Sequence, residues 1–211
     1  MSIDGVLLAR HGETDDNAAR RFQGHRDPPL NELGRAQARA LGEELAGAGI
    51  RELWSSPLLR AHETATIAGR ELGLQPRLDP RLMEVDVGDW AGRTYDDLET
   101  DEPGLYAEWR SGSPAFRFPG GESLEEQGER VAAAIEEIGR AAQRPVLVVC
   151  HGGVISAYLA YCFGLPLSSI WRVSVANCSL SAVSPPRVLS VNDVSHLAGI
   201  EVGTGAPSLD P

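Results

Sequence analysis

Two short apolar runs in this chain each end at a histidine followed by glycine. Residues 6–9 lead into Arg10-His11-Gly12, and residues 146–150 lead into His151-Gly152. The second run is almost continuously apolar, which is typical of a strand buried on both faces of a sheet that helices cover. Because ligands bind beyond the carboxyl ends of parallel strands, we expect both histidines at one binding edge of such a sheet.

The rest of the chain alternates predicted strands with predicted helices, the pattern of an α/β fold. Asn31 is a good N-cap for a helix with one apolar stripe, and Ser123-Leu124-Glu125-Glu126 is a capping box that begins another. Ser55-Ser56-Pro57 predicts a third helix start, with serine as the cap and proline in the first turn. A fourth helix is expected from about Val154 to Phe163.

The remaining segments complete a mostly parallel central sheet flanked by helices. Residues 178–183 and 188–191 predict a terminal hairpin, and residues 12–30 predict a polar loop. Residues 82–121 are irregular and rich in glycine, aspartate and tryptophan, so we expect loops and short helices that cover one end of the sheet. Trp90 and Trp109 are expected to pack this covering segment, with lining of the pocket as the alternative.

Length and composition indicate one soluble globular domain. A chain of 211 residues is long enough for one buried core, and we predict a single domain over residues 1–211 with a disordered tail at 203–211. No apolar stretch approaches the roughly 20 residues needed to cross a bilayer, and the first residues lack a signal-peptide pattern. With three cysteines and no metal-ligand spacing, these features predict a cytoplasmic protein.

The charge of the chain restricts its partners. A net charge of −11 argues against nucleic acid and anionic membranes as partners. All 19 basic residues are arginine, so a cationic phosphate contact must come from a guanidinium group or a histidine. The oligomeric state stays open, a homodimer included.

The residues at the strand ends can carry out covalent phosphoryl transfer. A neutral imidazole attacks phosphorus directly, so His11 is the candidate nucleophile and would form a phosphohistidine. Arg10, Arg60 and His151 are the candidate clamp on the phosphoryl oxygens. The leaving group needs a proton, for which Glu84 is the first candidate and Asp86 the second.

The same residues lie in motifs that resemble the histidine phosphatase superfamily, in the branch of cofactor-dependent phosphoglycerate mutases and related phosphatases. The resemblance covers about residues 6–197. The motifs are Leu8-Ala9-Arg10-His11-Gly12-Glu13-Thr14 with Asn17, Phe22-Gln23-Gly24, residues 30–38, Ser55-Ser56-Pro57-Leu58-Leu59-Arg60-Ala61, Glu84 with residues 88–92, residues 119–123, His151-Gly152-Gly153, and residues 192–197 as a terminal strand.

The resemblance implies a phosphoglycerate mutase-like fold and a set of roles. His11 would be phosphorylated, Glu84 would donate the proton, and no metal or other cofactor would be required. The other implied roles are phosphoryl binding by Arg10, Arg60, His151 and Gly152, and further pocket contacts by Asn17, Gln23 and Gly24. Met83 and His25-Arg26 depart from residues common in the family, in positions that bear on the acid and on substrate contacts.

Three functions are compatible with these residues. The leading hypothesis is a metal-independent phosphomonoester hydrolase acting on a small phosphorylated metabolite. The alternative is a cofactor-dependent phosphoglycerate mutase, which the resemblance makes less favoured because the segment between Glu84 and His151 is compact and has few early cations. The third is a non-catalytic module that binds a phosphorylated ligand, against which the presence of both His11 and Glu84 argues.

Overall fold

A six-stranded sheet forms the centre of the part of the chain that the structure describes. The computed structural model describes residues 5–113 and 115–202, so the predicted tail at 203–211 lies outside the described residues. In chain order the strands are β1 (Val6–Arg10), β2 (Glu52–Ser55), β3 (Arg77–Leu78), β4 (Val146–Cys150), β5 (Leu180–Ser184) and β6 (Arg187–Asp193). Their order across the sheet is β3-β2-β4-β1-β5-β6. The first four are parallel, while β5 and β6 form an antiparallel hairpin at one edge.

Helices cover both faces of this sheet. They are α1 (Asp15–Ala18), α2 (Glu32–Leu45), α3 (Leu59–Leu72), α4 (Tyr95–Asp101), α5 (Pro103–Arg110), α6 (Leu124–Ala141) and α7 (Gly152–Phe163). Short 3₁₀ segments lie at Pro80–Leu82, Gly88–Trp90, Leu167–Arg172 and Ser195–Leu197. Helices α6 and α7 pack on one face of the sheet and α2 and α3 on the other. The predicted three-layer, mostly parallel α/β fold is therefore confirmed.

Alternation along β1 explains how one strand contributes to both cores. Val6 and Leu8 belong to the cluster with α6 and α7, whereas Leu7 and Ala9 belong to the cluster with α2 and α3. Successive side chains of a strand point to opposite faces, so a strand in the middle of a three-layer fold must be apolar throughout. Every residue of β1 and of β4 is buried.

The covering segment has a core of its own. Trp90 and Trp109 are buried and pack with Phe22, Phe116 and Phe118 in a third, mainly aromatic cluster. The ring of Phe22 meets those of Trp90 and Trp109 edge-on at centroid distances of 5.2 and 4.9 Å. The prediction that both tryptophans pack this segment is confirmed.

Several predicted elements and boundaries differ from the structure. Helix α3 begins at Leu59, because the amide of Leu59 is capped by the Asp27 carboxylate at 2.5 Å and not by Ser55 or Ser56. Helix α1 interrupts the predicted loop, since the Thr14 side chain caps it in a reciprocal capping box with Asn17. Two differences are smaller. Helix α7 begins two residues early, at Gly152, and residues 192–197 divide between the end of β6 and a 3₁₀ turn.

Candidate active site

The register of the sheet brings the two His-Gly motifs together. Arg10 at the end of β1 lies opposite Cys150 at the end of β4, so His11 and His151 leave neighbouring strands at the same edge. Their ring centroids are 5.2 Å apart at an interplanar angle of 60°. Both rings are buried.

The hydrogen bonds of His11 fix its tautomer. Nδ1 lies 2.7 Å from the carbonyl oxygen of Gly12, which can only accept, so Nδ1 carries the proton and Nε2 carries the lone pair. Burial, followed by the charges of Arg60 and Arg10, holds the pKa of His11 well below the usual histidine value. His11 is therefore neutral at pH 7 and presents Nε2 as a nucleophilic atom.

Two buried guanidinium groups act on the His11 ring. Arg60 Nε is 3.3 Å from His11 Nε2, and its other nitrogens donate to the carbonyl oxygens of Arg26 and Gly24 at 2.8 and 2.9 Å. Arg10 donates to the carbonyl oxygen of Val175 at 2.6 Å. Burial lowers the pKa of Arg60 to about 10, so this group stays cationic at neutral pH. A phosphoryl group that reaches His11 therefore meets fixed positive charge.

His151 stands at the N-terminus of α7, the twelve-residue helix that follows β4. Burial, followed by the charges of Arg60, His11 and Arg10, holds the pKa of His151 well below the usual value. A Cβ atom on Gly152 would lie 3.4 Å from Arg10 Nε, which places the first turn of α7 beside the arginine. Free amides at a helix N-terminus favour an anion at this position.

The Glu84 carboxylate reaches the same helix terminus from the covering segment. Its Oε2 accepts from the Gly153 amide at 3.1 Å, and its Oε1 accepts from Gln127 Nε2 at 3.1 Å and from the Val85 amide at 3.0 Å. A Cβ atom on Gly153 would lie 2.5 Å from Glu84 Oε1, so the carboxylate occupies this position because residue 153 is glycine.

Asn17 lies in α1, and Gln23 and Gly24 lie in the loop that follows this helix. The Gly24 carbonyl contacts Arg60 directly. Gln23 Oε1 accepts from the Thr14 hydroxyl at 3.1 Å, and Asn17 Oδ1 accepts from the Thr14 amide at 3.2 Å. Asn17 and Gln23 are thus joined through Thr14, while the Gly24 carbonyl binds the guanidinium group of Arg60.

Four polar residues that hold these groups were given no role in the site from the sequence. The Thr64 hydroxyl accepts from the Gly12 amide at 3.0 Å and donates to the Arg60 carbonyl at 2.7 Å. Asn177 Nδ2 donates to the His11 carbonyl at 3.0 Å. Gln127 holds Glu84, and Ser56 Oγ lies 2.8 Å from His151 Nε2. Thr64 lies one helical turn after Arg60, a spacing that could have revealed it, whereas the other three contact residues distant in sequence.

The cysteine and the three histidines that remain make different contacts. The Cys150 thiol is fully buried and burial raises its pKa, so it packs in the core as expected. His25 Nε2 donates to the Glu84 carbonyl at 3.0 Å, and His196 Nε2 donates to the Cys178 carbonyl at 3.0 Å. His62 lies in a surface groove between α2 and α3. Within residues 5–113 and 115–202, no cluster of three histidine, cysteine or carboxylate side chains could hold a metal ion.

Comparison with known proteins identifies the family of this chain. A model of the histidine phosphatase superfamily (branch 1) matches residues 6–188. The chain belongs to the histidine phosphatase superfamily. Its predicted family is thereby confirmed.

Members of the superfamily resemble this chain over most of its length. A Salmonella paratyphi B protein named probable phosphoglycerate mutase GpmB is 37% identical over 216 residues, covering 97% of both chains. The structure of a mycobacterial glucosyl-3-phosphoglycerate phosphatase with VO3 is 34% identical with a TM-score of 0.81, covering 90% of this chain and 98% of its own. The structure of a putative alpha-ribazole-5'-P phosphatase from Escherichia coli is 28% identical with a TM-score of 0.81, covering 90% and 97%. These structural neighbours are phosphatases, which agrees with the predicted enzyme class.

In the described part of this superfamily member, no helix is long and apolar enough to cross a bilayer.

Proposed function

We propose that this protein is a metal-independent phosphomonoester hydrolase that forms a phosphohistidine on His11. Nε2 of His11 attacks phosphorus as the ester P–O bond breaks, and the leaving oxygen takes a proton from the Glu84 carboxyl group. Water then attacks the phosphohistidine, gives a proton to the Glu84 carboxylate, and releases inorganic phosphate. Arg10, Arg60 and His151 hold the phosphoryl oxygens in both steps.

The observation that carries this proposal is the neutral His11 ring between two buried arginines. The Gly12 carbonyl directs the Nε2 lone pair away from the main chain, and Arg60 lies 3.3 Å from that atom. A nucleophile with a fixed tautomer beside fixed cations needs little reorganisation in phosphoryl transfer, where positioning and charge stabilisation provide most of the rate.

Hydrolysis is favoured over mutase activity by the state of the neighbouring arginines. A mutase must retain a bisphosphorylated intermediate, which requires cations beyond those that hold the transferred group. Close to Glu84, Arg130 makes a two-point ion pair with Glu122 at 2.6 and 2.9 Å, and Arg117 pairs with Glu126. Both guanidinium groups are already paired with a carboxylate, which weakens their attraction for a second phosphate.

The decisive experiment measures phosphate release from an aryl phosphate with and without EDTA. We expect equal rates in both, and we expect brief mixing with phosphorus-32-labelled substrate to give a protein-bound label that is labile to acid and stable to alkali. His11→Asn should remove the label and the activity. His62→Asn, in the surface groove between α2 and α3, should keep both. A strict metal requirement, or label retained in His11→Asn, would refute the mechanism.

A second assay separates the alternatives. With 3-phosphoglycerate and 2,3-bisphosphoglycerate together, we expect little 2-phosphoglycerate. Rapid interconversion would establish the mutase. Tight phosphate binding without turnover of any ester would establish the non-catalytic module.

A further inference from the structure

A second cavity lies beside the segment that carries the acid residue. It has a volume of about 360 Å³, and its walls include His25, Met83, Asp86, Arg117 and Arg130. Met83 precedes Glu84 and Asp86 follows it by two residues, and the His25 ring donates to the Glu84 carbonyl at 3.0 Å. His25 also lies between Gly24 and Arg26, whose carbonyl oxygens both bind Arg60. The cavity therefore adjoins the main chain of the proposed acid and of the loop that binds Arg60.

The cations of this cavity are paired with carboxylates of the protein. Arg130 binds Glu122 through Nε and one terminal nitrogen, and its other nitrogen donates to the carbonyl oxygens of Arg81 and Met83 at 2.8 and 2.9 Å. Arg117 pairs with Glu126 and donates to the Gly121 carbonyl at 3.0 Å. An anionic substituent would have to compete with these carboxylates for the same guanidinium groups.

The acids of the same cavity outnumber its arginines. Asp86, Glu122 and Glu126 line it together with two arginines. Glu122 and Glu126 are paired, but Asp86 has no arginine partner among the described residues; His25 Nδ1 lies 3.8 Å from its Oδ2, and its side chain is 41% exposed. Asp86 therefore gives the cavity an unbalanced negative charge and an acceptor for hydroxyl groups.

We infer that this cavity binds the leaving group and selects esters of uncharged, hydroxyl-bearing alcohols over esters that carry a carboxylate or a second phosphate. The inference rests on the proposed phosphatase activity and adds the chemical class of its substrate. A like charge placed beside the Asp86 carboxylate is unfavourable, whereas a hydroxyl group can donate to that carboxylate. The apolar wall formed by Met83 suits the carbon skeleton of such an alcohol.

Glycerol 3-phosphate and 3-phosphoglycerate form a matched pair for the test, because they differ in having CH2OH or a carboxylate at the same carbon. We expect kcat/KM at pH 8 to favour glycerol 3-phosphate by about tenfold or more, as like-charge contacts of this kind oppose binding. Asp86→Asn should lower the ratio of kcat/KM for glycerol 3-phosphate to kcat/KM for 3-phosphoglycerate, because it should raise the second of these values. Asp96→Asn, which removes the same charge from α4 outside the cavity, should leave the ratio unchanged.

The possible results test the substrate class and the hydrolytic activity separately. Equal or faster hydrolysis of 3-phosphoglycerate, or a ratio that responds equally to Asp86→Asn and Asp96→Asn, would overturn the substrate class while hydrolysis itself stands. Failure to hydrolyse both esters and an aryl phosphate as well would overturn the proposed function, and the inference with it.

Discussion

The Ser56 hydroxyl is positioned to decide which nitrogen of His151 carries the proton. Ser56 Oγ accepts from the Leu58 amide at 3.3 Å and lies 2.8 Å from His151 Nε2, and we predict that the hydroxyl proton is donated to that nitrogen. His151 is neutral at pH 7, so its single ring proton must then be on Nδ1. Nδ1 is buried and has no hydrogen-bond partner within the described residues. We predict that it donates to a phosphoryl oxygen.

Ser56→Ala removes the hydroxyl group that fixes the His151 tautomer, and the expected loss of kcat/KM is that of one hydrogen bond. A hydrogen bond to a charged group contributes about 1.5–3 kcal/mol, which corresponds to a decrease in kcat/KM of about 10- to 150-fold. The loss should be the same for aryl and alkyl phosphates, because the bond stabilises the phosphoryl group and not the leaving group. The loss should diminish in acid, where a protonated His151 carries protons on both nitrogens despite burial and the opposing charges of Arg60, His11, Arg10 and His25.

Ser55→Ala is the matched control. Ser55 is equally buried, and its hydroxyl donates to the Ser56 carbonyl at 2.8 Å without reaching His151. Steady-state kinetics on both variants, with circular dichroism to verify folding, separates the tautomer effect from general loss of packing. A Ser56→Ala enzyme as active as Ser55→Ala, or one impaired only on alkyl esters, would refute the reasoning.

Three further predictions follow from the same geometry. Glu84→Gln should slow the hydrolysis of alkyl phosphates by about 10²- to 10⁴-fold and that of aryl phosphates far less, since only the alkyl leaving group needs a proton donor. Glu129→Gln is the control. Equal losses on both substrate types would exclude Glu84 as the acid. Gly153→Ala should give the same pattern because its Cβ would displace the Glu84 carboxylate, whereas Gly104→Ala, with open space around it, should not. Lowered pKa values of His11 and His151 in the folded state stabilise the protein above about pH 6.5, and this stability should be lost as pH falls, by up to about 1.4 kcal/mol per pH unit for each histidine. Urea unfolding from pH 8 to 5 measures that slope, which His11→Asn should reduce; an unchanged slope would contradict it.

Local signals explain why much of the fold could be predicted from the sequence. Asn31 caps α2 and Ser123 caps α6 through side-chain bonds to residues three positions later. The start of α3 could not be predicted in this way, because its cap is Asp27, 32 residues away, while the Ser56 hydroxyl faces His151. A local pattern does not reveal a capping residue supplied by a distant loop.

The same distinction applies to the site. His11 and His151 could be placed together because each directly follows a strand, and strand ends are recognisable from short apolar runs. Ser56, Gln127 and Asn177 hold the candidate catalytic groups from 95, 43 and 166 residues away in sequence. A buried serine, glutamine or asparagine has no pattern that distinguishes it before its partner is known.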